Sequence, residues 1–174
     1  SKDDRISDSL YLDSLYNLSY DLSFYDLDSA LLVTEEFLSF SRKKNDLNIE
    51  LGMTNKGYLN TQIGNKKTAL DCFFYVLKLG EDKGDSTLVS QAYNDIAMAY
   101  MEFREYEKAL YYIENSLQIS RSQNDLKSIS LTLNNYGLVF LYLENYEKAS
   151  EVFNEALMLK ENFFEEETDP DVKY

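Results

Sequence analysis

Apolar side chains along this chain fall three and four residues apart. Leu133, Tyr136, Gly137 and Phe140 recur at i, i+3, i+4 and i+7, and Ala149, Phe153, Ala156 and Leu157 do the same further on. That is the spacing of one buried helix face. LENY (143–146) separates the two runs as a short turn. The pattern predicts helix pairs, A then B: 8–23 with 27–43, 47–62 with 66–82, 87–102 with 106–121, and 126–142 with 146–165. The expected fold class is all-α, an α-solenoid of four antiparallel helix pairs. It should fill a single domain over 1–174, with repeats at about 8–46, 47–85, 86–125 and 126–165 and an acidic tail at 166–174.

The polar interruptions keep time with the apolar ones. SRKKND, GEDKGD and SRSQND begin at 41, 80 and 120, and Ala30, Ala69, Ala109 and Ala149 step by 39, 40 and 40. Self-similarity at such a period is the mark of a repeat architecture. Asn45, Gly84 and Asn124 are residue types that tolerate the left-handed backbone ending a helix. Asp46, Asp85 and Asp125 are expected to cap the helix that follows. Asp169-Pro170 should end the last helix, because proline cannot continue one. Gly57, Ala97 and Gly137 are expected where helix B crosses helix A, and Ala69, Ala109 and Ala149 where it meets the next repeat, since close crossings need a small side chain. Tyr106 and Tyr146 are expected to pack under the A–B turns.

These residues carry a resemblance to the tetratricopeptide repeat family. Tyr93, Ile96, Ala97, Tyr100, Ala109, Ile113 and Ser116 fit its pattern in the third repeat, and Leu133, Tyr136, Gly137, Phe140, Ala149, Phe153 and Ala156 in the fourth. The second repeat keeps Met53, Gly57, Ala69 and Phe73 but has Lys56 and Asn60 at usually apolar places; the first is the most divergent. The long period resembles the extended repeats of kinesin light chains and bacterial peptide sensors. DLDSALLVTEEFL (26–38) is similar to modules ahead of sensor kinases and regulators in Bacteroidetes-type bacteria. The resemblance implies a right-handed superhelix, a ligand on the concave face and no cofactor.

Composition narrows the chemistry. A net charge of −14 repels nucleic acid and anionic membrane surfaces and favours protein or peptide partners that are neutral or basic. With no histidine, neither a Ser-His-Asp nor a Cys-His centre can form, and no imidazole can hold zinc. The lone Cys72 in DCFFYVL reads as packing. GYLNTQIGNKK (57–67) lacks the spacing of a phosphate loop. EEETDPD (165–171) lacks the glycine and spacing of a calcium loop. No apolar run approaches the roughly 20 residues of a membrane helix, and no secretory leader is recognisable. An enzyme is therefore not expected, and no metal site is.

The family likeness turns helix A inward and places Asn17, Asn55, Asp95 and Asn135 in one column. An amide donates and accepts at once, so it suits the backbone of an extended peptide. Tyr58, Met98, Glu102 and Tyr142 stand three, four or seven residues along the same faces, as do Tyr20, Phe24 and Gln62. The competing reading is that the asparagines only hydrate the inner face. The expected function is a non-enzymatic peptide-binding module, the sensing or scaffold part of a bacterial signalling protein, with a periplasmic location ahead of a cytoplasmic one. The alternative is a solenoid that self-assembles into a homo-oligomer through its ends or convex face.

Overall fold

The computed structural model describes residues 2–168, with side chains placed for 6–161. Among them are eight α-helices and no strand: α1 (Lys2–Leu22), α2 (Leu27–Lys43), α3 (Ile49–Ile63), α4 (Lys66–Lys83), α5 (Ser86–Glu102), α6 (Tyr106–Ser122), α7 (Leu126–Tyr142) and α8 (Tyr146–Thr168). The architecture is all-α, built of antiparallel helix pairs as the periodicity predicts. Asp169-Pro170 and most of the acidic tail lie outside the described residues. The chain forms two compact units, one up to Leu79 and one from Gly80.

A step of 20 residues underlies the longer repeat. Gly64, Gly84, Arg104, Asn124 and Glu144 all have left-handed backbone, with φ of 84, 66, 59, 53 and 58°. The residue after each returns its N–H to the carbonyl five places back: Asn65 to Asn60, Asp85 to Gly80, Glu105 to Tyr100, Asp125 to Ser120 and Asn145 to Phe140. This is the closure that satisfies the last carbonyls of a helix. Asp85 and Asp125 then cap as expected, accepting from the N–H of Leu88 and Ser128 at 3.0 Å each. Asn145 does the same for Lys148 at 3.2 Å.

Asp46 departs from the pattern. Asn45, Asp46 and Asn48 are all left-handed, and the N-cap of α3 is Asn48, whose side chain makes no capping bond. Asp46 contributes only its carbonyl, which accepts from Ile49 N–H. Three left-handed residues in one connection carry the chain two residues past the expected cap.

In the first unit Leu12, Leu15, Phe37, Leu38 and Ile49 form the core. A Cβ on Gly57 would sit 2.5 Å from the Phe73 ring, so the α3–α4 crossing admits no side chain there. In the second unit the core is Leu117, Ile129, Leu133, Phe140, Val152 and neighbouring alanines of α8. Gly137 meets Phe153 at α7–α8 as Gly57 meets Phe73. The third repeat has Ala97 and Ile113 at the corresponding places, both fully buried. The landmark alanines Ala30, Ala69, Ala109 and Ala149 are excluded from solvent, and each donates its N–H four residues back, to Asp26, Asn65, Glu105 and Asn145. They therefore mark the first full turn of every helix B.

Candidate functional site

In the first unit α1 touches α3, and in the second α5 touches α7, so each unit brings two A helices together. The expected inward residues of the first unit are Asn17, Asn55 and Tyr58. Asn17 is exposed on α1, and Tyr58 is exposed on α3 with its ring edge-on to Phe73, centroids 5.3 Å apart.

Asn55 is partly buried. Its amide nitrogen donates to Ser19 Oγ at 2.8 Å and to Thr34 Oγ1 at 3.0 Å. These two hydroxyls lie 2.7 Å apart, and both reach the Ala30 carbonyl, at 3.0 and 2.9 Å. Both amide protons of Asn55 are thus engaged, and its carbonyl oxygen is the remaining side-chain polar atom. Ser19 and Thr34 hold the crossing that Gly57 and Phe73 hold one repeat on. The first repeat replaces a small–large apolar fit with a polar node, and Asn55 closes that node.

In the second unit Asn135 donates from its amide nitrogen to Asn94 Oδ1 at 2.9 Å. Asn94, next to the expected Asp95, is the partner of Asn135 that sequence reasoning passed over; the Asn94-Asp95 and Asn134-Asn135 doublets were the available signal. The bond uses neither N–H of the Asn94 amide nor the carbonyl oxygen of Asn135, the donor and acceptor functions an extended backbone requires. Asp95 and Met98 are half-buried on α5, and Glu102 is exposed at its end. Tyr142, at the end of α7, stacks on Tyr106 with centroids 5.4 Å apart and planes 7° from parallel. Tyr106 is therefore packed at its turn as expected. Tyr146 is not: it is 65% exposed, since Tyr106 is covered by a ring of the helix pair that follows it and among the described residues no pair follows α8. Phe24 also departs from expectation, since α1 ends at Leu22 and Phe24 belongs to the turn.

Cys72 is buried, and desolvation pushes its thiol up to about 11, which suits packing and suppresses thiolate chemistry. A pocket of about 480 Å³ lies among α6, α7 and α8, lined by Glu114, Arg121, Tyr136, Lys148 and Glu155. Its charges are already paired: Arg121 with Glu155, Lys148 with Glu151, and Tyr136 OH donating to Glu114 at 2.9 Å. Burial and that carboxylate raise the Tyr136 hydroxyl to about 12. Among the described residues no helix is long and apolar enough to cross a membrane.

Residues 88–162 match the tetratricopeptide repeat family, which spans the third and fourth helix pairs. The crystal structure of BtubC (BKLC) from P. vanneervenii is similar with a TM-score of 0.67 at 17% identity, over 90% of this chain and 72% of that one. The MamA RS-1 ArsTM double mutant is similar with a TM-score of 0.58 at 17% identity, over 87% and 76%. None of the curated proteins matches the chain in sequence. The family match covers the third and fourth helix pairs, and the likeness to these two structures shows the fold.

Proposed function

We propose that the chain is a non-enzymatic module that binds an extended segment of a partner protein along its A helices, within one domain of four repeats. The observation that carries this reading is the Asn94–Asn135 amide pair bridging α5 and α7, with a donor and an acceptor still available for a peptide backbone. Asn17, Tyr58 and the Asn55 carbonyl serve the same purpose on the first unit. Met98, Tyr142 and the acidic Asp95 and Glu102 select the side chains, favouring a lysine or arginine. The test is a peptide library panned against the protein. Asn94→Ala with Asn135→Ala should weaken the selected peptides roughly ten- to a hundredfold, two backbone hydrogen bonds at about 0.5–1.5 kcal/mol each. Unchanged affinity sinks the groove assignment, and failure to enrich basic peptides sinks the charge selection. The likeness of DLDSALLVTEEFL to modules of bacterial sensors supports a sensing or scaffold place in a signalling protein.

A second reading has its own observation. Ile6 and Leu10 are exposed on α1, and Leu157 and Met158 on α8, so the first and last helices carry apolar side chains in solvent. Self-assembly through these helices would appear as a concentration-dependent mass in light scattering, abolished by Leu10→Lys.

A further inference from the structure

The turn joining α1 to α2 differs in kind from the other A–B turns. Those carry Gly64-Asn65, Arg104-Glu105 and Glu144-Asn145 at their tips, whereas this one carries Phe24-Tyr25. Phe24 is 71% exposed and Tyr25 76%, and neither ring contributes to the first unit's core. The presentation is ordered. Phe24, Tyr25 and Asp26 N–H groups donate to the carbonyls of Asp21, Leu22 and Leu22, Asp26 caps α2 through Ser29 N–H at 3.1 Å, and Tyr20 meets Phe24 edge-on at 5.1 Å. A backbone held this way, with the Phe24 ring against Tyr20, loses little freedom on binding.

The rings border a depression of about 660 Å³ shared with Gln62 and Ile63 of α3, in which the charged lining side chains are Asp26 and Asp28. Asp28 also lines an adjoining depression of about 430 Å³ beside Leu31, Leu32 and Glu35, and Leu32 is itself largely exposed. The trough is apolar with a carboxylate rim. Lys56, the cation that lines it, is bonded to Glu35. From Ile6 to Ser41 the chain has five aspartates and two glutamates, seven carboxylates, and no lysine or arginine.

We infer that this trough docks a segment of a partner protein in which aliphatic residues alternate with arginine or lysine. The aliphatic groups would cover Phe24, Tyr25 and Leu32, each more than two thirds exposed. The cations would lie against the exposed ring faces and the Asp26 and Asp28 carboxylates, where ring quadrupole and charge act together. The site uses none of the amide residues of the proposed groove, so either can fail alone.

The experiment uses the whole chain, isotopically labelled, titrated with three short synthetic peptides: alternating Leu and Arg, alternating Ser and Arg, and alternating Leu and Glu. The Leu-Arg peptide should bind tightest and shift amide resonances of 21–32 and 60–63. Phe24→Ser with Tyr25→Ser should weaken it by roughly tenfold or more, as loss of aromatic anchors does, with only a small change in thermal midpoint because both rings are largely in solvent and the exposed Tyr20–Phe24 contact is the packing lost. Asp26→Asn with Asp28→Asn, which keeps a capping side chain at 26, should weaken it several-fold and flatten its salt dependence. Asn94→Ala with Asn135→Ala should leave it unchanged. The inference is overturned if the Ser-Arg peptide binds as tightly as Leu-Arg, if the aromatic double variant binds like the parent, or if the parent dimerises and that variant does not, which would make the occupant a second copy.

Discussion

A Cβ on Gly137 would lie 2.6 Å from Cε1 of Phe153. Ordinary contact needs about a full ångström more. Ala at 137 would gain up to about 1 kcal/mol of helix propensity, but moving the ring costs about 1–3 kcal/mol, so the ring term wins. Gly137→Ala is expected to lower the urea midpoint, and Gly137→Leu to lower it further. The third repeat solves the same crossing with Ala97 and Ile113, both fully buried. Gly137→Ala combined with Phe153→Ile should therefore recover most of the loss in a double-mutant cycle. Simple additivity of the two single changes would contradict the contact.

Asn55→Ala should destabilise more than Asn135→Ala. Asn55 gives two hydrogen bonds to buried hydroxyls, at 2.8 and 3.0 Å, and its loss removes the donors that close the node. Asn135 gives one, to Asn94. At about 0.5–1.5 kcal/mol per bond, with more for an acceptor left buried, the expected losses are about 1–3 kcal/mol for Asn55 and about 0.5–1.5 kcal/mol for Asn135. Urea unfolding of the two variants checks the order. Equal midpoints would mean that Asn55 is held by something other than Ser19 and Thr34.

Much of this was legible in the sequence, for a physical reason. Gly84, Asn124, Asp85 and Asp125 have side chains that themselves favour the turn and cap conformations they adopt, so their identity reports their geometry. Arg104 and Glu144 adopt the same left-handed state with no residue-type signal, because the helix closure around them imposes it. The polar node was hidden because Ser19 and Thr34 look unremarkable singly; only the fold sets them 2.7 Å apart. The inward column was read from family likeness, and hydrogen bonding decides which amide atoms remain available. Asp46 misled because cap chemistry was read without the extra turn at Asn48.

The Asp125 cap should show in the pH dependence of stability. Its carboxylate accepts from the Ser128 hydroxyl at 2.6 Å and from Ser128 N–H at 3.0 Å, which hold it below the usual aspartate range. A group with a lowered folded pKa stabilises above its unfolded value, about 3.9, and that stability is lost as pH falls through the folded pKa. Asp125→Ala should cost about 0.5–2 kcal/mol at neutral pH. The gap between variant and parent should hold down to about pH 5 and shrink below the unfolded pKa of about 3.9. A gap that persists at acid pH would mean the alanine acts by some route other than the lost carboxylate.

The left-handed helix ends offer a pair of opposite tests. Glu144 has φ 58° and Arg104 φ 59°, while Gly84 sits at φ 66° in the same motif. Left-handed backbone costs a residue with a Cβ roughly 1–2 kcal/mol, and glycine gives back roughly 0.5–1 kcal/mol through its looser unfolded chain. The first term is larger, so Glu144→Gly and Arg104→Gly should each raise stability by about 0.5–1 kcal/mol, the difference of those terms. Gly84→Ala should lower it by a similar amount, although an added Cβ would meet nothing within 4 Å, since the strain is in the backbone and not in packing. Denaturant midpoints at a common slope decide the signs. A stabilising Gly84→Ala would show that the glycine is not there for its conformation.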